Sequence, residues 1–179
     1  MKLCDFVCFS AIVPELTASD RNGAIRELVQ ALHKEGRLGS CDPEKLTKTI
    51  IQRENEASTG IGKGVALPHI KADGVEEPVA AIGRSSQGLD FRSLDKQPVY
   101  SVILLVSPKE NPDKHLQAME ILFRNLNHDD FRRFLRQAQT AEEIEDIIRD
   151  AGSSKVNKMN KTGDCMRLFA LLKRRNSSG

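Results

Sequence analysis

Along the chain the apolar residues change period several times, and each change marks an element. Residues 10–16 read as a short strand that ends near Pro14. Ile25, Leu28, Val29 and Leu32 then recur at helical spacing, behind cap-type residues at 17–20 and ahead of Gly36, a natural stop. Asp42-Pro43 announces a second helix, with Leu46, Ile50 and Ile51 on its buried side and Arg53 near its end. Residues 65–67 suggest a further short strand. Residues 78–84 and 99–106 are the clearest strands of all. The second of these, V-Y-S-V-I-L-L-V, is nearly continuous in apolar and β-branched residues, which predicts a central strand covered on both faces. Between them, 85–94 reads as a loop with one short strand.

From Pro112 the pattern turns helical three times. Leu116, Met119, Leu122, Phe123 and Leu126 mark one helix; Phe131, Phe134 and Leu135 mark the next. Ile144, Ile147 and Ile148 mark the third, behind the cap-like Thr140. Strands and helices in this order predict an α/β (α+β) class: a single domain over 1–151, with a mixed sheet of about five strands and helices on both faces, in three layers.

Composition narrows the function classes. Of 179 residues, 39% are hydrophobic and 29% charged, with one Tyr and no Trp, so stacking of nucleic-acid bases is poorly supplied and no nucleic-acid partner is expected. The net charge of +2 conceals an asymmetry: 152–179 holds seven basic residues against Asp164, leaving the body at −4. After Asp150 the chain becomes polar and aperiodic, a basic linker. It runs into Leu168, Phe169, Leu171 and Leu172 ahead of Lys173-Arg174-Arg175, an amphipathic stretch suited to a solubilising extension or to weak membrane-surface contact. Cys4, Cys8, Cys41 and Cys165 form no C-x-x-C pair and read as reduced thiols. The apolar run at 6–13 is too short for a signal or a span, so a cytoplasmic location is expected.

The candidate chemistry lies in S-T-G-I-G-K-G-V-A-L-P-H, residues 58–69. A phosphate-binding Walker loop fails because Gly64 follows Lys63 and Ala57 stands where its first glycine belongs. A dinucleotide fingerprint fails because Val65 replaces its third glycine. What remains is a glycine-rich loop delivering His69 on a stiff Pro-His step. Small residues let a partner and a phosphoryl group approach, backbone N–H groups can meet phosphate oxygens, and neutral imidazole is a competent nucleophile near pH 7. On the residues alone, a phosphoryl-carrying histidine and a plain polar loop histidine both stay open.

Preceded by Arg53-Glu54, this stretch resembles the signature of the fructose/mannitol-type enzyme IIA domains of the bacterial sugar phosphotransferase system, in particular their stand-alone nitrogen-regulatory branch. The similarity continues through L-D-F at 89–91, P-V-Y-S-V-I-L-L-V-S-P and N-P-D-K-H-L-Q-A-M. The resemblance implies a phosphohistidine carrier: His69 accepts a phosphoryl group from the small carrier HPr or a paralogue. It implies Arg53 beside the active histidine, His115 facing it as a donor to phosphoryl oxygens, and Thr59 in the phosphate-binding set. In sugar-transporting members the group passes on to a cysteine of an enzyme IIB domain. With no IIB-like or membrane IIC-like segment in this sequence, a regulatory output is expected, the alternatives being sugar transport or a non-catalytic regulatory module. No cofactor or metal is implied, and a zinc set of His69, His115 and a cysteine lacks any ligand pair at local spacing. Two residues depart from the family pattern: Lys63, read as an exposed loop lysine, and Ile70, expected to alter partner approach. His33 and His128 match no family site and read as structural or surface residues.

Overall fold

The computed structural model describes residues 1–151; the expected linker and amphipathic stretch at 152–179 lie outside the described residues. A short helix α1 (Leu3–Phe6) leads into strand β1 (Val7–Val13), followed by helices α2 (Arg21–Lys34) and α3 (Pro43–Glu56). Three short strands come next: β2 (Gly60–Gly62), β3 (Val65–Ala66) and β4 (His69–Ala72). The long strands β5 (Val79–Leu89) and β6 (Val99–Pro108) precede helices α4 (Pro112–Leu126), α5 (Asp129–Gln137) and α6 (Ala141–Ala151).

The caps read from sequence are made. Asp20 accepts from the Gly23 amide at 2.6 Å to start α2. Asp42 accepts from the Glu44 amide at 2.9 Å to start α3, with Pro43 in its first turn. Gly36, at φ +66°, turns the chain out of α2.

The sheet order is β1-β5-β6-β3-β2, with β4 also paired to β6. β6 is the axis of the sheet, antiparallel to β5 and parallel to both β3 and β4. Its side chains alternate between two cores, as a strand covered on both faces requires. Val102, Leu104 and Val106 face a core built with α2 and α3, while Ile103 and Leu105 face one built with α1, α4, α5 and α6. The expected three-layer single domain is therefore present, with six strands rather than about five.

The extra strands have local causes. The glycine-rich stretch folds as a β2–β3 hairpin whose turn residues, Lys63 and Gly64, sit at φ +58° and +78°, the left-handed pair that a two-residue hairpin favours. β3 and β4 then run one after the other along β6, separated at Leu67-Pro68. Proline has no amide to donate, yet the Pro68 carbonyl still accepts from the Leu105 amide at 3.0 Å. β1 begins at Val7, earlier than residue 10, because α1 ends there. β5 continues beyond Arg84 through a register shift to Leu89, so the strand expected within the 85–94 loop is an extension of β5.

One helix face was misread by periodicity. In α4 the buried residues are His115, Ala118, Leu122 and Leu126, whereas Leu116 is 64% and Phe123 39% exposed. The helix is rotated so that a polar histidine takes an inward position.

Candidate functional site

Three elements meet at the candidate site: the start of β4, the C-terminal half of β6 and the first turn of α4. His69 is the first residue of β4, opposite Leu105 of β6. Its Nδ1 lies 2.8 Å from the Leu67 carbonyl oxygen. A carbonyl only accepts, so Nδ1 carries the proton and Nε2 keeps its lone pair. The imidazole is thus held in one tautomer by the backbone two residues upstream.

Two residues further along β6, Ser107 is fully buried, and its Oγ lies 2.9 Å from Nδ1 of His115. Asn111 caps α4 through the Lys114 amide at 3.3 Å, and Pro112 occupies its first turn, which fixes the angle at which His115 points back to the sheet. The two imidazoles stand with ring centroids 5.7 Å apart and planes tilted by 38°. Burial pushes the His115 pKa down from the usual 6.5, and the charges of Lys71 and Arg53, together with that of His69 whenever it is protonated, push it further the same way. These effects favour the neutral form of His115.

Arg53 lies exposed in the last turn of α3, with its charge felt at His115. Thr59 is engaged elsewhere: its amide donates to Glu54 Oε2 at 3.0 Å and its hydroxyl donates to Glu54 Oε1. With both donors committed, Thr59 in this state has none to offer a phosphoryl oxygen. Lys63 is an exposed turn residue whose amide donates to Asp95 Oδ2 at 2.8 Å. That bond and one from the Gln97 amide hold the Asp95 carboxyl below its usual range. Ile70 is 5% exposed and packs into the α2–α3 core, so it is not part of the surface a partner would meet. His33 is exposed, and His128 is the half-buried residue preceding α5.

Sequence reasoning passed over three residues. Lys71 follows His69 by two positions on β4, the strand period that places both on one face, so its signal was present. Ser107 gave no local signal, since its role depends on β6 meeting α4. Glu54 sat within the quoted motif without an assigned role. Among the described residues, no three His, Cys, Asp or Glu side chains gather as a metal site. No helix among them is long and apolar enough to cross a membrane.

Known proteins share this arrangement of elements. The chain is 34% identical over 148 residues to a fructose-specific EIIABC component of Bacillus subtilis, covering 83% of this chain but only 23% of that protein. It is 31% identical over 148 residues to a nitrogen regulatory protein of Bradyrhizobium diazoefficiens, covering 83% of this chain and 95% of the relative. The crystal structure of nitrogen regulatory protein IIA-Ntr from Neisseria meningitidis superposes with a TM-score of 0.72 at 26% identity, covering 80% of this chain and 97% of that one. Residues 9–151 match the family model described as phosphoenolpyruvate-dependent sugar phosphotransferase system, EIIA 2. The chain belongs to that EIIA family, whose members act in phosphoryl transfer.

Proposed function

We propose that the chain is a phosphohistidine carrier that takes a phosphoryl group on Nε2 of His69 from the phosphohistidine of HPr or a paralogue. The observation that carries this reading is the Nδ1–H···O=C bond to Leu67, which leaves Nε2 as the nucleophilic nitrogen beside a second imidazole.

In the transfer, the Nε2 lone pair attacks phosphorus, an N–P bond forms, and the donor N–P bond breaks with its electron pair returning to the donor imidazole. No proton leaves His69; Nδ1–H stays on the Leu67 carbonyl, which offsets the positive charge spreading over the phosphorylated ring. When the Ser107 hydroxyl donates to Nδ1 of His115, Nε2–H of His115 is free to donate to a phosphoryl oxygen. Arg53 and Lys71 supply positive charge to the transferring group. Thr59 serves as a tether of the loop, its hydroxyl proton being taken by Glu54.

Likeness to two nitrogen regulatory proteins supports a regulatory output, in which a target protein senses the state of His69. The fructose-specific relative supports the alternative, transfer to an enzyme IIB cysteine. Both begin with the same step. Incubation with radiolabelled phospho-HPr is expected to label the wild type and not His69→Ala; label on the variant defeats the assignment. Chase with an enzyme IIB domain then separates the outputs, since only a transport carrier passes label on.

A further inference from the structure

One buried carboxylate takes no part in the chemistry above. Glu54 is 3% exposed and lies in the last turn of α3, where the carbonyl end of the helix dipole opposes negative charge. A carboxyl group buried there needs hydrogen-bond partners. Those partners are the amide and the hydroxyl of Thr59, one on each carboxylate oxygen.

From this clamp two further hydrogen bonds, linked through the backbones of Thr59 and Leu67, lead to the reacting ring. The Thr59 carbonyl accepts from the Leu67 amide at 3.0 Å, and the Leu67 carbonyl accepts from Nδ1–H of His69 at 2.8 Å. Ser58 fixes the same segment from its other side, donating to the Phe91 carbonyl and accepting from the Gly60 amide at 3.1 Å. Arg53 is the residue before Glu54, so the clamp also ties the helix end bearing the guanidinium to the loop that aims the imidazole.

We propose that Glu54 is a positioning residue for His69: by gripping Thr59 it helps to hold the backbone of Leu67 and so the Nδ1–H tautomer that leaves Nε2 free. This rests on His69 being the phosphoacceptor. An unconstrained imidazole prefers its proton on Nε2, which would hide the nucleophilic nitrogen, so the tautomer must be imposed by a partner fixed in place. The Leu67 carbonyl imposes it only if the backbone on either side is held: the Leu105 amide holds Pro68 from β6, and the Thr59 carbonyl, gripped through Glu54, holds the Leu67 amide.

The test reads tautomer and rate together. The full chain, labelled with nitrogen-15, reports the His69 tautomer through its ring nitrogen shifts, and uptake is followed with radiolabelled phospho-HPr. Glu54→Gln keeps an acceptor for the Thr59 amide and a donor to the Thr59 hydroxyl oxygen. It is expected to retain Nδ1–H and to label within about threefold of wild type. Glu54→Ala removes both contacts and is expected to move His69 towards Nε2–H and to slow labelling by about tenfold or more. A folded Glu54→Ala protein that keeps the wild-type tautomer overturns the proposal, whatever its rate. If Glu54→Ala fails to fold, Thr59→Val, which removes only the hydroxyl contact, is expected to show a smaller shift in the same direction; an unchanged tautomer there is equally decisive. Loss of labelling at His69 in the wild type would sink the carrier reading alone, because the tautomer comparison needs no phosphoryl donor.

Discussion

His69 and His115 face each other across the C-terminal half of β6, ring centroids 5.7 Å apart, each with Nδ1 tied to β6 or to the segment feeding β4. Nε2 is therefore the ring nitrogen left over on each, a lone pair on the Nδ1–H form of His69 and able to carry a proton on His115. Under the proposed function, the first of these nitrogens attacks the phosphoryl group and the second donates to its oxygens.

Replacing His115 by alanine is expected to slow phosphoryl uptake by about 100- to 1,000-fold, the range for loss of one transition-state donor, while leaving His69 as the labelled residue. Quench-flow with phospho-HPr measures it. Uptake at the wild-type rate would remove His115 from the mechanism.

Stability should depend on pH through His115. Burial and the neighbouring cations lower its folded-state pKa below the unfolded value of 6.5, so between those two values the unfolded chain binds more protons. Stability then rises with pH across that window and is lost as acid carries the solution below it. Urea unfolding at a series of pH values is expected to show this slope in wild type and a flatter one in His115→Asn. Parallel profiles would contradict the environment described for His115.

The rotated face of α4 makes a contrast in stability. Leu122→Ala, at a buried site on α4, is expected to cost about 2–5 kcal/mol. Leu116→Ser, at a residue 64% exposed, is expected to change stability by no more than about 0.5 kcal/mol. Denaturant midpoints decide between this packing and the one periodicity suggests, in which Leu116 would be costly.

A methyl group at Gly60 would collide with Ser93 Oγ and come within 2.9 Å of the Ser93 Cα. The Leu94 amide donates to the Gly60 carbonyl at 3.2 Å, so the two backbones cannot separate freely. Gly60→Ala is expected to cost about 1–3 kcal/mol, read by thermal or urea unfolding. An unaltered midpoint would show that the hairpin can move off this loop.

Much of this molecule was written locally. The caps at Asp20 and Asp42, the stop at Gly36 and the doubly covered strand β6 follow from neighbouring residues, because capping, φ preference and apolar period act within a few positions. The motif ending in Pro68-His69 likewise pointed to the candidate nucleophile and to the family. Short-range reasoning failed where a contact needs two distant segments. β2 and β4 are too brief to show a period and exist as strands because β3 and β6 offer hydrogen-bonding edges. Leu116 and Phe123 matched a helical stripe, but the layer beneath α4 chose His115 and Ala118 instead.

What the chain alone determined was its helices and long strands, its glycine-rich loop and an imidazole behind a proline. Only the tertiary structure decided which nitrogen of that imidazole is engaged, that burial favours a neutral His115 beside it, and that Glu54 grips the loop that aims it. The reason is physical: hydrogen-bond direction and burial arise when β6 brings β4 and α4 together, and no periodicity along one segment encodes that meeting.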